Sequence, residues 1–180
     1  MKGVVFTEFY EFVEEQYSPV VLQKIINGAE LKSQGVYTAT GTYPFCEMGA
    51  LVGSAVKESG LPVETLMKAF GRHLLSYFSF TNPQHFEGVQ GTFEFLHVVE
   101  NHIHVDVRKL YPDAELPTFE MVEQTDQRFV MIYKSSRGLG DLCEGLIEGC
   151  MEYFGETGTI SQELLSADPV THIKFVIELS

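Results

Sequence analysis

Tryptophan is absent from the 180 residues, cysteine occurs three times, and 12 Lys and Arg stand against 25 Asp and Glu. The formal net charge of −13 repels phosphate backbones and anionic headgroups. It argues against nucleic acid and against an anionic membrane surface as partners. No apolar run is long enough to cross a bilayer, so membrane insertion is not expected. Met1-Lys2-Gly3-Val4-Val5-Phe6 meets Glu8 and Glu11 too soon to read as a secretory signal. Cys46, Cys143 and Cys150 have no framework spacing. An odd count without CxxC suits a reducing cytoplasm and gives no structural zinc. Cys143 and Cys150 lie about two turns apart on one helix face, too far for a disulfide, and read as buried structural thiols. Without repeats, low-complexity tracts or long linkers, the chain is expected to form a single domain over 1–180.

Hydrophobic residues reach 44%, which excludes disorder. Fourteen Phe and eight Tyr are enough to line a large apolar cavity, although composition alone favours an ordinary core. Helical spacing of apolar residues covers 3–16 and 18–27, the second opened by Ser18-Pro19. The Thr- and Gly-rich stretch from Thr38 to Tyr43 reads as a loop. A helix over 45–59 closes at Gly60, and another restarts at Leu61-Pro62-Val63-Glu64 and runs to about Phe80, where Asn82-Pro83 breaks it. A further helix is predicted over 91–110, ending at Tyr111-Pro112. The second half reads as strands at Phe119 to Glu123 and Arg128 to Lys134, with a turn near Thr125-Asp126. A helix from Leu139 to Phe154 closes at Gly155, and a last strand covers Thr171 to Leu179. Helices first, then strands flanking a helix, predict an α+β fold: a helical N-terminal half packed on a C-terminal antiparallel sheet with helices.

Three features carry chemistry. The 91–110 helix holds His97, His102 and His104. On a regular helix His102 and His104 are about 200° apart and cannot share a cavity. His104 sits beside the apolar stripe of Leu96, Val99, Ile103 and Val107, which leans toward it, but His97 has a similar angular position about two turns earlier. Any one of them is also readable as an ordinary surface or hydrogen-bonded histidine. The second feature is Tyr133-Lys134-Ser135-Ser136-Arg137. In an extended segment Tyr133, Ser135 and Arg137 project to one side and offer two hydroxyls and a guanidinium, a set suited to carboxylates. The competing reading is an exposed polar strand end. Third, Pro112 and Pro117 make a stiff exit from the histidine-bearing helix.

Together these residues resemble the haem nitric oxide/oxygen-binding (H-NOX) family, which includes the haem domain of soluble guanylate cyclase and stand-alone bacterial sensors. The resemblance runs along essentially the whole chain. It includes Met1-Lys2-Gly3-Val4-Val5, Lys68-Ala69-Phe70-Gly71-Arg72, Lys109-Leu110-Tyr111-Pro112, Tyr-x-Ser-x-Arg at 133–137, and Glu144-Gly145-Leu146-Ile147-Glu148-Gly149. It implies haem b (iron protoporphyrin IX) buried between the two halves. The family's axial histidine lies seven residues before the aromatic of its Tyr-Pro step, which here is His104. Tyr133, Ser135 and Arg137 correspond to the family's clamp on the haem propionates. Pro117 and Val5 correspond to residues that pack on and distort the ring.

The resemblance also implies a ligand. Family members that hold dioxygen carry a distal Tyr five residues beyond the motif Arg; here that position is Leu142. Its supporting positions are Phe9 and Leu74, with Phe78 on the same wall. All are apolar, so nitric oxide is expected as ligand, carbon monoxide as a weaker one, and stable dioxygen binding is not. His73 neighbours Leu74 but points about 100° away. Nitric oxide is expected to weaken or break the iron–His104 bond and release the helix that bears it. With no output module in 180 residues, the expected partner is a sensor histidine kinase first, and a diguanylate cyclase or phosphodiesterase acting on cyclic di-GMP second. The chain is expected not to be an enzyme. The rival readings are a haem-dependent redox or oxygen-binding protein or enzyme, disfavoured by the lack of a distal acid or base, and a haem-free module using the cysteines.

Overall fold

Apolar residues three and four apart give the N-terminal half four helices: α1 (Gly3–Gln16), α2 (Pro19–Gly28), α3 (Phe45–Ser59) and α4 (Val63–Thr81). Ser18 caps α2 by accepting a hydrogen bond from the Val21 N–H, with Pro19 in the first turn, where a missing N–H costs nothing. Gly60 ends α3 in the left-handed conformation at φ 70°, which glycine enters without steric cost. Phe6, Phe9, Phe12, Leu51, Leu66, Phe70 and Leu74 bury their side chains in the larger core, and Leu142 joins them from far along the chain. The computed structural model describes residues 1–180.

The single helix expected over 91–110 is in fact three pieces. α5 (Thr92–Val98) runs into a π turn over Val99–Ile103, and α6 (His104–Leu110) follows. The His104 N–H reaches back five residues to the Val99 carbonyl. One extra residue is thus stored ahead of His104, a feature frequent at functional positions. It changes the phase on which the 200° separation and the His97 equivalence rested.

Four antiparallel strands follow in the spatial order β1-β2-β4-β3, namely β1 (Thr118–Gln124), β2 (Arg128–Ser135), β3 (Gly158–Ser166) and β4 (Thr171–Leu179). β3 was not anticipated from sequence. β1 is a bulged edge strand in which Phe119 lies opposite Tyr133 of β2. α7 (Gly140–Phe154) lies between the helical half and the sheet. Leu142 enters the larger core. Cys143, Ile147 and Met151 instead cover the sheet residues Phe129, Met131, Phe175 and Ile177. α7 also meets α4 backbone to backbone. A Cβ on Gly71 would meet the Leu142 carbonyl, and one on Gly145 would overlap the Lys68 carbonyl. Lys68–Glu144, at 2.6 Å, and Arg72–Glu148 lace the same pair of helices. The α+β architecture expected from sequence is the one observed, with a helical half against a four-stranded sheet. No helix is long and apolar enough to cross a membrane.

Candidate functional site

The π turn sets His104 at the start of α6 with its side chain 12% exposed, whereas His102 is exposed. Burial therefore separates the two histidines that helix geometry left open. Nδ1 of His104 lies 3.3 Å from Glu100 Oε2. Glu100 Oε2 also accepts the Phe119 N–H at 3.2 Å, and the Phe119 ring stacks on the imidazole at 5.5 Å. A carboxylate on Nδ1 fixes the tautomer with its proton there and leaves Nε2 as the lone-pair donor, the usual second partner of a metal-binding imidazole. Burial lowers the His104 pKa, against the opposing pull of Glu100, so the neutral ligand form is favoured.

Phe119 is the link to the second set. Its ring lies 6.0 Å from that of Tyr133, the residue opposite it across the ladder. The Tyr133 hydroxyl accepts the Leu139 N–H at 3.2 Å, and the Ser135 hydroxyl accepts the Arg137 N–H at 3.1 Å. Each oxygen accepts a backbone N–H, and each hydroxyl still carries a proton of its own. Burial pushes the Tyr133 phenol above its usual range, partly offset by hydrogen bonds from Ser135 and the Leu139 N–H. It therefore stays protonated and a donor. Arg137 lies beyond the end of β2, and its side chain is 15% exposed. The guanidinium sits over the Phe45 ring at 5.5 Å and donates from Nη2 to Glu115 at 3.0 Å. Its Nε is buried without a partner. A buried charged donor left unpaired is costly, so this Nε is poised for an anionic acceptor.

The apolar set comes together separately. Phe9, Leu74 and Leu142 share the larger core, with Val5 and Phe78 packed against it. Pro117 is half-buried, and its carbonyl lies 3.5 Å from the Arg108 guanidinium. No hydrogen bond or ring contact joins His104 to the apolar set. His73 is turned to carboxylates, 3.3 Å from Glu8 and 3.4 Å from Glu15, rather than to Leu142. Two clefts of about 520 and 430 Å³ lie elsewhere, one beside Gln90 and Asp126 and one beside Arg72 and Glu148. Neither is lined by His104 or by the Tyr133-Ser135-Arg137 set, and their carboxylate-rich walls do not suit an apolar plate.

The donors that are present fit haem. They comprise one neutral imidazole with a free nitrogen, two hydroxyl donors, and a guanidinium with an orphaned Nε facing carboxylate chemistry. Three contributors were not foreseen from sequence: Glu100, Phe45 and Glu115. Cys143 and Cys150 are buried free thiols, and Cys46 is exposed. Burial pushes the Cys150 thiol up to about 12.

A sequence profile described as haem-NO-binding matches residues 2–162. The H-NOX protein from K. algicida, solved as Fe(II) without ligand, is 39% identical and superposes with a TM-score of 0.92, covering 100% of this chain and 97% of that one. An H-NOX protein from S. oneidensis, 23% identical, superposes at 0.89 over 100% of this chain and 96% of that one, a likeness of fold. Soluble guanylate cyclase 89Db of Drosophila melanogaster is 24% identical over 159 residues, which is 86% of this chain and 24% of that protein. The chain thus spans about a quarter of the length of the curated relatives it matches.

Proposed function

We propose that this chain, which belongs to the haem-NO-binding (H-NOX) family of haem-based gas sensors, senses nitric oxide through haem b held by His104. When bound, haem would supply an iron able to take a diatomic gas. His104 offers Nε2 to the iron while Glu100 holds Nδ1. Tyr133, Ser135 and Arg137 bind the propionates. Val5 and Pro117 press on the ring. Phe9, Leu74, Phe78 and Leu142 exclude water and provide no hydrogen-bond donor. Bound dioxygen carries partial negative charge and needs such a donor, whereas nitric oxide does not, so this wall selects nitric oxide over dioxygen and leaves carbon monoxide as a weaker ligand.

The single observation that carries the reading is the buried, unpartnered Nε of Arg137 beside the Tyr133 and Ser135 hydroxyls. A change in what holds His104 would act directly on α6, which His104 opens, and through it on the packing of the helical half against the sheet. The output is a sensor histidine kinase, or a diguanylate cyclase or phosphodiesterase, in the cytoplasm. The sensing chain itself catalyses nothing.

Spectra of the ferrous protein with and without nitric oxide, repeated on His104→Gly, test this. A Soret band that shifts with nitric oxide, loss of the histidine-ligated spectrum in His104→Gly and its return with added imidazole are expected. Identical spectra for the two proteins overturn the axial assignment, and a stable oxy spectrum in air overturns the selectivity.

A further inference from the structure

Arg137 already has a carboxylate on it. Nη2 donates to Glu115 Oε2 at 3.0 Å, so this acid touches the edge of the guanidinium next to the orphaned Nε. A carboxylate binds guanidinium most strongly across two adjacent N–H groups. A propionate that takes Nε and Nη2 together must therefore displace Glu115 or share Nη2 with it. The two partners are unequal in freedom. Arg137 is pinned between the Phe45 ring and the end of β2, while Glu115 is 69% exposed. Turning Glu115 into water costs little.

The loop that carries Glu115 is tied at both ends. Arg108, four residues after His104, reaches the Pro117 carbonyl at 3.5 Å, and Glu115 reaches Arg137. One short segment thus joins the helix of the axial histidine to the clamp. The amino group of Met1 is on the same side, donating to the Tyr43 carbonyl at 2.8 Å, and Lys2 lies over the Tyr111 ring at 4.0 Å.

We propose that Glu115 competes with a haem propionate for the Arg137 guanidinium and thereby sets how tightly the clamp holds the porphyrin. The proposal rests on the haem reading above. It makes Glu115 a positioning residue that loosens the cofactor, the reverse of the propionate-binding role of Tyr133, Ser135 and Arg137.

The test measures haem loss from the full chain to an excess of a tighter-binding apoglobin, in wild type, Glu115→Gln, Arg137→Ala and the double variant. An exposed ion pair is worth up to about 1 kcal/mol, so Glu115→Gln is expected to slow haem loss about two- to fivefold. That gain disappears when Arg137 is already Ala. Raising salt to about 1 M screens the pair and brings wild type toward Glu115→Gln. Unchanged or faster loss in Glu115→Gln overturns the proposal, as does an equal slowing in both Arg137 backgrounds. If Arg137→Ala does not fold, the salt series on the other two proteins decides. A chain that takes up no haem overturns the haem reading, and the competition with it. A chain that binds haem but fails the Glu115 test leaves that reading standing.

Discussion

Glu100 and His104 are held 3.3 Å apart across the end of the π turn. The same Glu100 oxygen anchors the Phe119 backbone, so one carboxylate orients the imidazole and the ring stacked on it. Removing such a partner typically weakens metal affinity. Glu100→Ala is expected to speed haem loss about tenfold, at the lower end of that range because the pair is partly solvated. The iron–histidine stretching frequency is expected to fall. A variant with wild-type retention and an unmoved stretch would mean that Glu100 does not hold the ligand.

Leu142 tests the distal wall. Leu142→Tyr adds an O–H donor among Phe9, Leu74 and Phe78. It is expected to give a ferrous–oxy spectrum in air, which the wild type is expected not to give, while nitric oxide still binds. A hydroxyl without a partner in the ligand-free core costs about 1–3 kcal/mol, so the melting temperature should drop. If Leu142→Tyr remains free of dioxygen in air, the absence of a donor is not what excludes it.

Glu47 gives a pH dependence away from the site. Burial disfavours its charge. The N–H of Ser33 at 3.3 Å, the Ser33 hydroxyl and the Tyr37 hydroxyl at 2.7 Å outweigh that and hold its pKa below the usual 4.5. A depressed folded value means that Glu47 stabilises the fold above the unfolded pKa and loses this contribution as pH falls through the folded one. Glu47→Gln should lower stability by about 2 kcal/mol near neutral pH, since hydrogen bonds to a charged group are the strong ones. The gap to wild type should close as pH falls below 4.5. Denaturant midpoints measured across that range check this, and a gap that stays constant with pH refutes it.

Gly145 is where α7 lies against the backbone of α4, with Lys68 in the way of any Cβ. Gly145→Ala forces the helices apart and should cost about 1–3 kcal/mol, the usual range for overpacking. Calorimetric unfolding measures it. A neutral result would mean the two backbones can separate without loss of packing.

Much of this molecule is legible in its sequence. α1 to α4 follow from apolar spacing, Ser18-Pro19 and Gly60, because these signals are local. The choice of His104 comes from the family resemblance, through its spacing to Tyr111-Pro112, and the structure buries His104 while leaving His102 exposed. β3 escaped because Gly158–Ser166 shows no clean alternation: it is an edge strand paired only with β4, and Leu164 and Leu165 are adjacent and both exposed. The π turn escaped because Val99–Ile103 keeps its apolar spacing and holds neither Gly nor Pro, so nothing in the sequence marks the extra residue. Glu100 stands one helical turn before His104 and was within reach of the same spacing rule. Phe45 and Glu115 were not, since only tertiary structure brings them to Arg137.

The lacing of α4 to α7 bears on how the chain is made. Lys68 and Glu144 are 76 residues apart in sequence, and Leu142 completes a core whose other buried members end at Leu74. Contacts of such long separation form slowly, since loop closure must precede the packing that rewards it. On the ribosome the four N-terminal helices emerge with the Gly71 flank of α4 bare. They wait for α7 to be synthesised before the larger core can close, and through that interval the flank is open to any other chain that meets it.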